Sequence, residues 1–139
     1  MADPISVLLV DDEPDLLDFL SKRLNRRGFI VQTASNGRQA LAAIGVLPPD
    51  VVILDMLMPG GMDGLATLRE IRRLFPLVEV LLLTAHASTE AALRGMELGA
   101  YDYLIKPVAI GELVLKIEEA SGKRGVMASP LDPDVNHDA

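Results

Sequence analysis

Four apolar runs in this chain end on residues that can do chemistry. Val7-Leu8-Leu9-Val10 runs into Asp11, Asp12 and Glu13; Val51-Val52-Ile53-Leu54 ends on Asp55; Leu81-Leu82-Leu83 ends on Thr84; Tyr103-Leu104-Ile105 ends on Lys106. Carboxylates gathered at one place repel, and desolvation raises their pKa values unless a positive charge joins them. A cation is therefore implied. A donor set of carboxylates, a backbone carbonyl and waters suits Mg2+, a hard ion that keeps part of its water shell and is commonly completed by phosphoryl oxygens. Phosphate is then the natural second ligand. A carboxylate can attack phosphorus to give an acyl phosphate when its own charge is offset and the oxygens of the transferring group are neutralised. Lys106 supplies a charge for that task, and the Thr84 hydroxyl can hydrogen-bond a phosphoryl oxygen.

Something must carry these residues to one rim. The runs Ile5–Val10, Asp50–Asp55 and Val78–Thr84 are nearly continuous Val, Ile and Leu, as expected of strands covered on both faces. Phe29–Ala34 and Tyr101–Ile105 are shorter and more polar, which puts them at the edges of the sheet. Between the strands the spacing turns helical. Leu16, Leu17, Leu20 and Leu24 recur along one face, with Pro14 near the first turn and Gly28 just past the end. Leu65, Leu68, Ile71 and Phe75 form a second stripe, and Ile110, Leu113, Val114 and Ile117 a third. The segment from Ser88 to Leu98 is richer in Ala and Gly and only weakly amphipathic. Strand and helix alternate five times, which predicts an α/β, doubly wound parallel sheet with right-handed crossovers. Ligands in such folds sit beyond the carboxyl ends of the central strands, where the four chemical endings fall.

Composition narrows the function classes. At 139 residues the chain suits one domain, and its 50% hydrophobic content with only 4% aromatics predicts an aliphatic core. It contains no cysteine, so disulfides, thiolate metal sites and thiol nucleophiles are excluded. A formal net charge of −7 opposes binding to a phosphate backbone, so no direct nucleic-acid contact is expected. No run approaches the ~18 apolar residues of a membrane span, and the start of the chain lacks the features of a signal peptide. A cytoplasmic location, away from membranes, is expected. From about residue 122 to 139 periodicity is lost and Gly, Pro and Asp accumulate, which reads as a flexible tail or the stub of a linker.

Residues 3–121, with "LLVDDE", "ILDMLMPGGMDG", "LLLTAH" and "YLIKP", resemble the receiver domain of bacterial response regulators, similar to single-domain chemotaxis and sporulation regulators. The resemblance implies a flavodoxin-like (βα)5 fold with strand order 2-1-3-4-5. It implies Asp55 as phosphoacceptor, Asp11 and Asp12 as the acidic pair that holds Mg2+ with Asp55 and the Leu57 carbonyl, and Lys106 and Thr84 as the other catalytic groups. Thr84 is also the switch hydroxyl, with Tyr103 as the aromatic that follows it inward. Leu57 and His86 flank the path of the water that hydrolyses the acyl phosphate. The Lys106–Pro107 bond is expected to be cis. Partners would be a sensor histidine kinase or phosphotransfer protein and a downstream protein, met through the surface of residues 88–98, 101–106 and 110–120. The family pattern has one residue between Met-Pro and the next Met-Asp-Gly, whereas this chain has Gly60 and Gly61.

Two other classes compete with a signalling module. Aspartyl-phosphate phosphatases also use a strand-end Asp with Mg2+, but they place a second Asp two residues on as general acid, where this chain has Leu57. A flavodoxin needs a hydroxyl-rich phosphate loop after the first strand, where Asp11-Asp12-Glu13 would repel a flavin phosphate instead. A receiver that acts only as a docking surface is disfavoured, because no acidic or lysine position is missing. The chain is therefore expected to catalyse only its own phosphorylation and dephosphorylation and not to be a turnover enzyme.

Overall fold

The computed structural model describes residues 3–57, 62–85 and 89–123. Strands and helices alternate as β1 (Ser6–Val10), α1 (Pro14–Arg26), β2 (Ile30–Ala34), α2 (Gly37–Val46), β3 (Val51–Asp55), α3 (Gly64–Leu74), β4 (Glu79–Thr84), α4 (Thr89–Glu97), β5 (Asp102–Ile105) and α5 (Ile110–Ser121). All four strand pairings are parallel, in the order β2-β1-β3-β4-β5. The chain steps outward from β1 to β2, returns across β1 to β3, and continues outward on the other side. The switch point therefore lies between β1 and β3, whose carboxyl ends carry Asp11 and Asp55.

Side-chain alternation divides the core into two layers. Leu8, Val10, Val52, Leu54, Val80 and Leu82 point to one face, where they meet Ala40 and Ile44 of α2 and Leu68 and Ile71 of α3. Val7, Leu9, Val51, Ile53, Leu81 and Leu83 point to the other, against Leu20 and Leu24 of α1 and Leu113 and Ile117 of α5. A central strand with helices on both faces has no side to leave polar, which is why all five residues of β3 are buried, Asp55 included. The two edge strands carry exposed apolar residues, Ile30 on β2 and Tyr103 and Ile105 on β5.

The helix boundaries follow local chemistry. Pro14 opens α1, and beyond its end Gly28 takes the left-handed conformation at φ 92°. Asn36 caps α2 by accepting from the Gln39 amide at 2.8 Å, and Asp63 caps α3 by accepting from the Ala66 amide at 2.8 Å. The helices differ in how firmly they are seated. A fully buried Leu or Ile contributes about 1.5–3 kcal/mol, and α3 buries both Leu68 and Ile71 completely. In α4 the buried positions are Ala92 and Gly95, while Leu93 and Met96 are exposed.

At the end of the sheet away from Asp55, one carboxylate joins three segments. Asp50, just before β3, accepts from the Ser6 amide at 2.9 Å and from Lys123 Nζ at 3.2 and 3.3 Å. After β5, the Lys106–Pro107 peptide bond is cis, as the resemblance implied. Gly60 and Gly61, His86 and the tail from residue 124 lie outside the described residues.

Candidate functional site

Asp11 sits where β1 lets go of its neighbours. Its amide still donates to the Ala34 carbonyl at 3.1 Å, so β2 holds its backbone. Its Oδ1 accepts from the Glu13 amide at 3.0 Å, a local turn that leads the chain into α1. The other oxygen, Oδ2, faces across the switch point and accepts from Lys106 Nζ at 2.8 Å.

Asp55 is the last residue of β3. Its Oδ1 accepts from the Leu57 amide at 3.2 Å and stands 3.4 Å from Lys106 Nζ. Met56, next in the chain, donates its amide to the Leu83 carbonyl at 3.0 Å, so the backbone on which Asp55 stands is anchored to β4. Lys106 is anchored in the same way, by its amide to the Thr84 carbonyl at 2.7 Å. Backbone hydrogen bonds between neighbouring strand ends thus place the side chains, and the ammonium bridges two carboxylates from strands that are adjacent in space but far apart in sequence.

Asp11 and Asp55 are 3% and 4% exposed, whereas Asp12 faces solvent. The three can each place one oxygen within 4.8 Å of the others. Burial pushes the Asp55 carboxyl above its ordinary 3.8, and the charge of Asp11 adds to the rise; the Leu57 N–H and Lys106 offset only part of it. For Lys106 the largest single influence is burial, which disfavours its charge. Together, the hydrogen bond to Asp11 and the charges of Asp55 and Asp11 outweigh it and hold the ammonium above 10.5. The two shifts agree with the distances, because Lys106 is closer to Asp11 than to Asp55.

The donor set fits a divalent cation. Three ionised carboxylates against one ammonium leave two negative charges, and every free donor atom in the cluster is a hard oxygen. The three carboxylates and Lys106 singled out in the sequence therefore come together. Thr84, the last residue of β4, is buried beside them, one step beyond the Asp55↔Leu83 register pair. Tyr103 stands apart: it is the register partner of Leu82 on β5 and is 38% exposed. The Leu57 side chain is also exposed. Sequence reasoning aimed Lys106 at the acceptor and missed that its shortest contact is to Asp11, a pairing across 95 residues that leaves no local signal.

A family model described as the response regulator receiver domain matches residues 7–118. The probable transcriptional regulatory protein TcrX of Mycobacterium tuberculosis is 41% identical over 123 residues, 88% of this chain and 52% of that protein. The DNA-binding transcriptional regulator NtrC of Salmonella typhimurium is 38% identical over 130 residues, 94% of this chain and 28% of that protein. The chain thus spans roughly a quarter to a half of these curated relatives. Among solved structures, the receiver domain of NtrX from Brucella abortus superposes with a TM-score of 0.80 at 37% identity, covering 84% of this chain and 98% of that one. The Vibrio cholerae chemotaxis protein CheY4 gives 0.80 at 31% identity, with 85% and 99% covered.

Proposed function

Because the chain belongs to the response regulator receiver domain family of two-component signalling, we propose that Asp55 takes a phosphoryl group from a kinase or phosphotransfer-protein phosphohistidine. Mg2+ is held by Asp11, Asp12, Asp55 and the Leu57 carbonyl. The single observation that carries this reading is the Lys106 ammonium shared between two buried carboxylates, 2.8 Å from Asp11 and 3.4 Å from Asp55.

In the transfer an Asp55 carboxylate oxygen attacks phosphorus while the phosphorus–nitrogen bond to the histidine breaks, and the electron pair leaves with the imidazole. Charge on the transferring group spreads over its equatorial oxygens, and fixed positive charge around them lowers the barrier. Lys106 offers such a charge without reorganising, because Asp11 and the Thr84 carbonyl already hold it in place. Thr84 donates its hydroxyl to a phosphoryl oxygen. When bound, Mg2+ supplies the remaining charge neutralisation. The signal then passes to a protein partner through α4, β5 and α5, where Leu93, Met96, Tyr101, Tyr103, Ile105 and Leu115 present exposed apolar surface. The receiver unit is assigned to residues 3–121, and the end of α5 at Ser121 supports that boundary. Residues 122–139 then form a tail or linker.

Acetyl phosphate tests the assignment without a kinase. Intact-protein mass spectrometry should show one added phosphoryl group on the wild type in Mg2+ and none on Asp55→Asn. Unchanged labelling of the variant, or full labelling of the wild type in EDTA, would overturn it.

A further inference from the structure

Two glycines fill contacts that leave no room for a side chain. At Gly64, the first residue of α3, an added Cβ would stand 2.6 Å from Met56 Cα, 2.7 Å from the Asp55 carbonyl oxygen and 2.9 Å from the Met56 carbonyl oxygen. All three are backbone atoms. That backbone cannot simply step aside, because the Met56 amide is tied to Leu83 of β4. One turn further along α3, Thr67 is fully buried, and its hydroxyl donates to the Asp63 carbonyl at 2.8 Å. A Cβ on Gly37, the first residue of α2, would collide with that hydroxyl oxygen. Neither glycine has a positive φ, so each is needed for the space it leaves rather than for its backbone freedom.

The start of α3 is therefore wedged between the first turn of α2 and the peptide that follows Asp55. We propose that Gly64 and Gly37 are positioning residues for phosphoryl transfer: by letting α3 seat directly on the Asp55–Met56 backbone, they set where the Asp55 carboxylate stands relative to Lys106 and Asp11. The inference rests on Asp55 being the acceptor.

The test is the rate of labelling by acetyl phosphate in Mg2+, measured against donor concentration, with melting curves for every variant. A displacement of about 1 Å at a reacting group costs on the order of 10²-fold in rate. Gly64→Ala should lower the limiting rate at least ~10-fold with an unchanged half-saturating donor concentration. Gly37→Ala should slow labelling less, and Gly37→Ala/Thr67→Ala should restore most of the rate, since the colliding hydroxyl is gone and only an approach of 3.3 Å to Met62 remains. That rescue should occur although the double variant melts below wild type, an uncoupling that a purely structural role would not produce. If Gly64→Ala fails to fold, the Gly37 pair decides alone. Wild-type rates in Gly64→Ala, or no rescue in the double variant, would overturn the inference while the acceptor assignment stands. Absence of label on Asp55 in the wild type would remove both.

Discussion

At Asp55 the site works against the fold. A carboxyl whose pKa is higher folded than unfolded adds stability that is complete below the ordinary value, 3.8 here, and is lost as pH rises through the raised value. At neutral pH the ionised, buried Asp55 beside Asp11 therefore costs stability. Replacing it with an amide of the same shape removes that charge. Asp55→Asn should melt above wild type at pH 7, and the gap should close as the buffer is acidified toward the carboxylate range. Equal melting at neutral pH would show that Lys106 already compensates in full. A second prediction concerns how long the signal lasts. If Leu57 flanks the path of the attacking water, as the family resemblance implies, its apolar side chain can neither orient that water nor accept its proton. Leu57→Asn should speed decay of the phosphorylated protein by up to ~10²-fold, the lower end of what a positioned proton-transfer group contributes. Decay no faster than wild type would place the control elsewhere.

Among the elements, α4 is the one set apart by its packing. With Ala92 and Gly95 as its buried contacts, little apolar area holds it, and segments with few buried apolar contacts open at low free-energy cost. Amides of α4 should exchange faster than those of α3 and α5. Adding beryllofluoride as a phosphoryl mimic should change exchange in α4, β5 and α5 while leaving α2 as it was. An unchanged pattern would refute a switch in that surface. This weakness was legible in the sequence, because a segment rich in Ala and Gly announces its lack of anchors. The strands were equally legible: a run such as VVILD, apolar at every position, has nowhere to go but the centre of a parallel sheet. What the one-dimensional pattern did not convey is fit between distant segments. Nothing local shows that a side chain at Gly64 would run into the carbonyl of Asp55. Gly37 likewise gives no hint of Thr67, thirty residues on in sequence. Such contacts depend on where whole helices come to rest.

Over the whole molecule, function is gathered at one pole. The carboxyl ends of β1, β3, β4 and β5 hold the charged cluster and its neighbours, while the opposite pole is organised by Asp50. That second arrangement had no signature in the sequence either, since Ser6, Asp50 and Lys123 are ordinary polar residues until the fold brings them together. Its consequence is topological. Ser6, at the first strand, and Lys123, just past the last helix, grip the same carboxylate. Over residues 6–123 the polypeptide therefore leaves from and returns to one carboxylate, at the pole remote from the chemistry. A peptide of about five residues, at about 3.3 Å each, joining Lys123 to Ile5 would close residues 5–123 into a ring. The ring could then be opened instead at the exposed turn of Pro76 and Leu77. Such a permuted chain should label on Asp55 at the parental rate, and a chain that folds but does not label would mean that the order of synthesis, and not only the final arrangement, shapes the acidic rim.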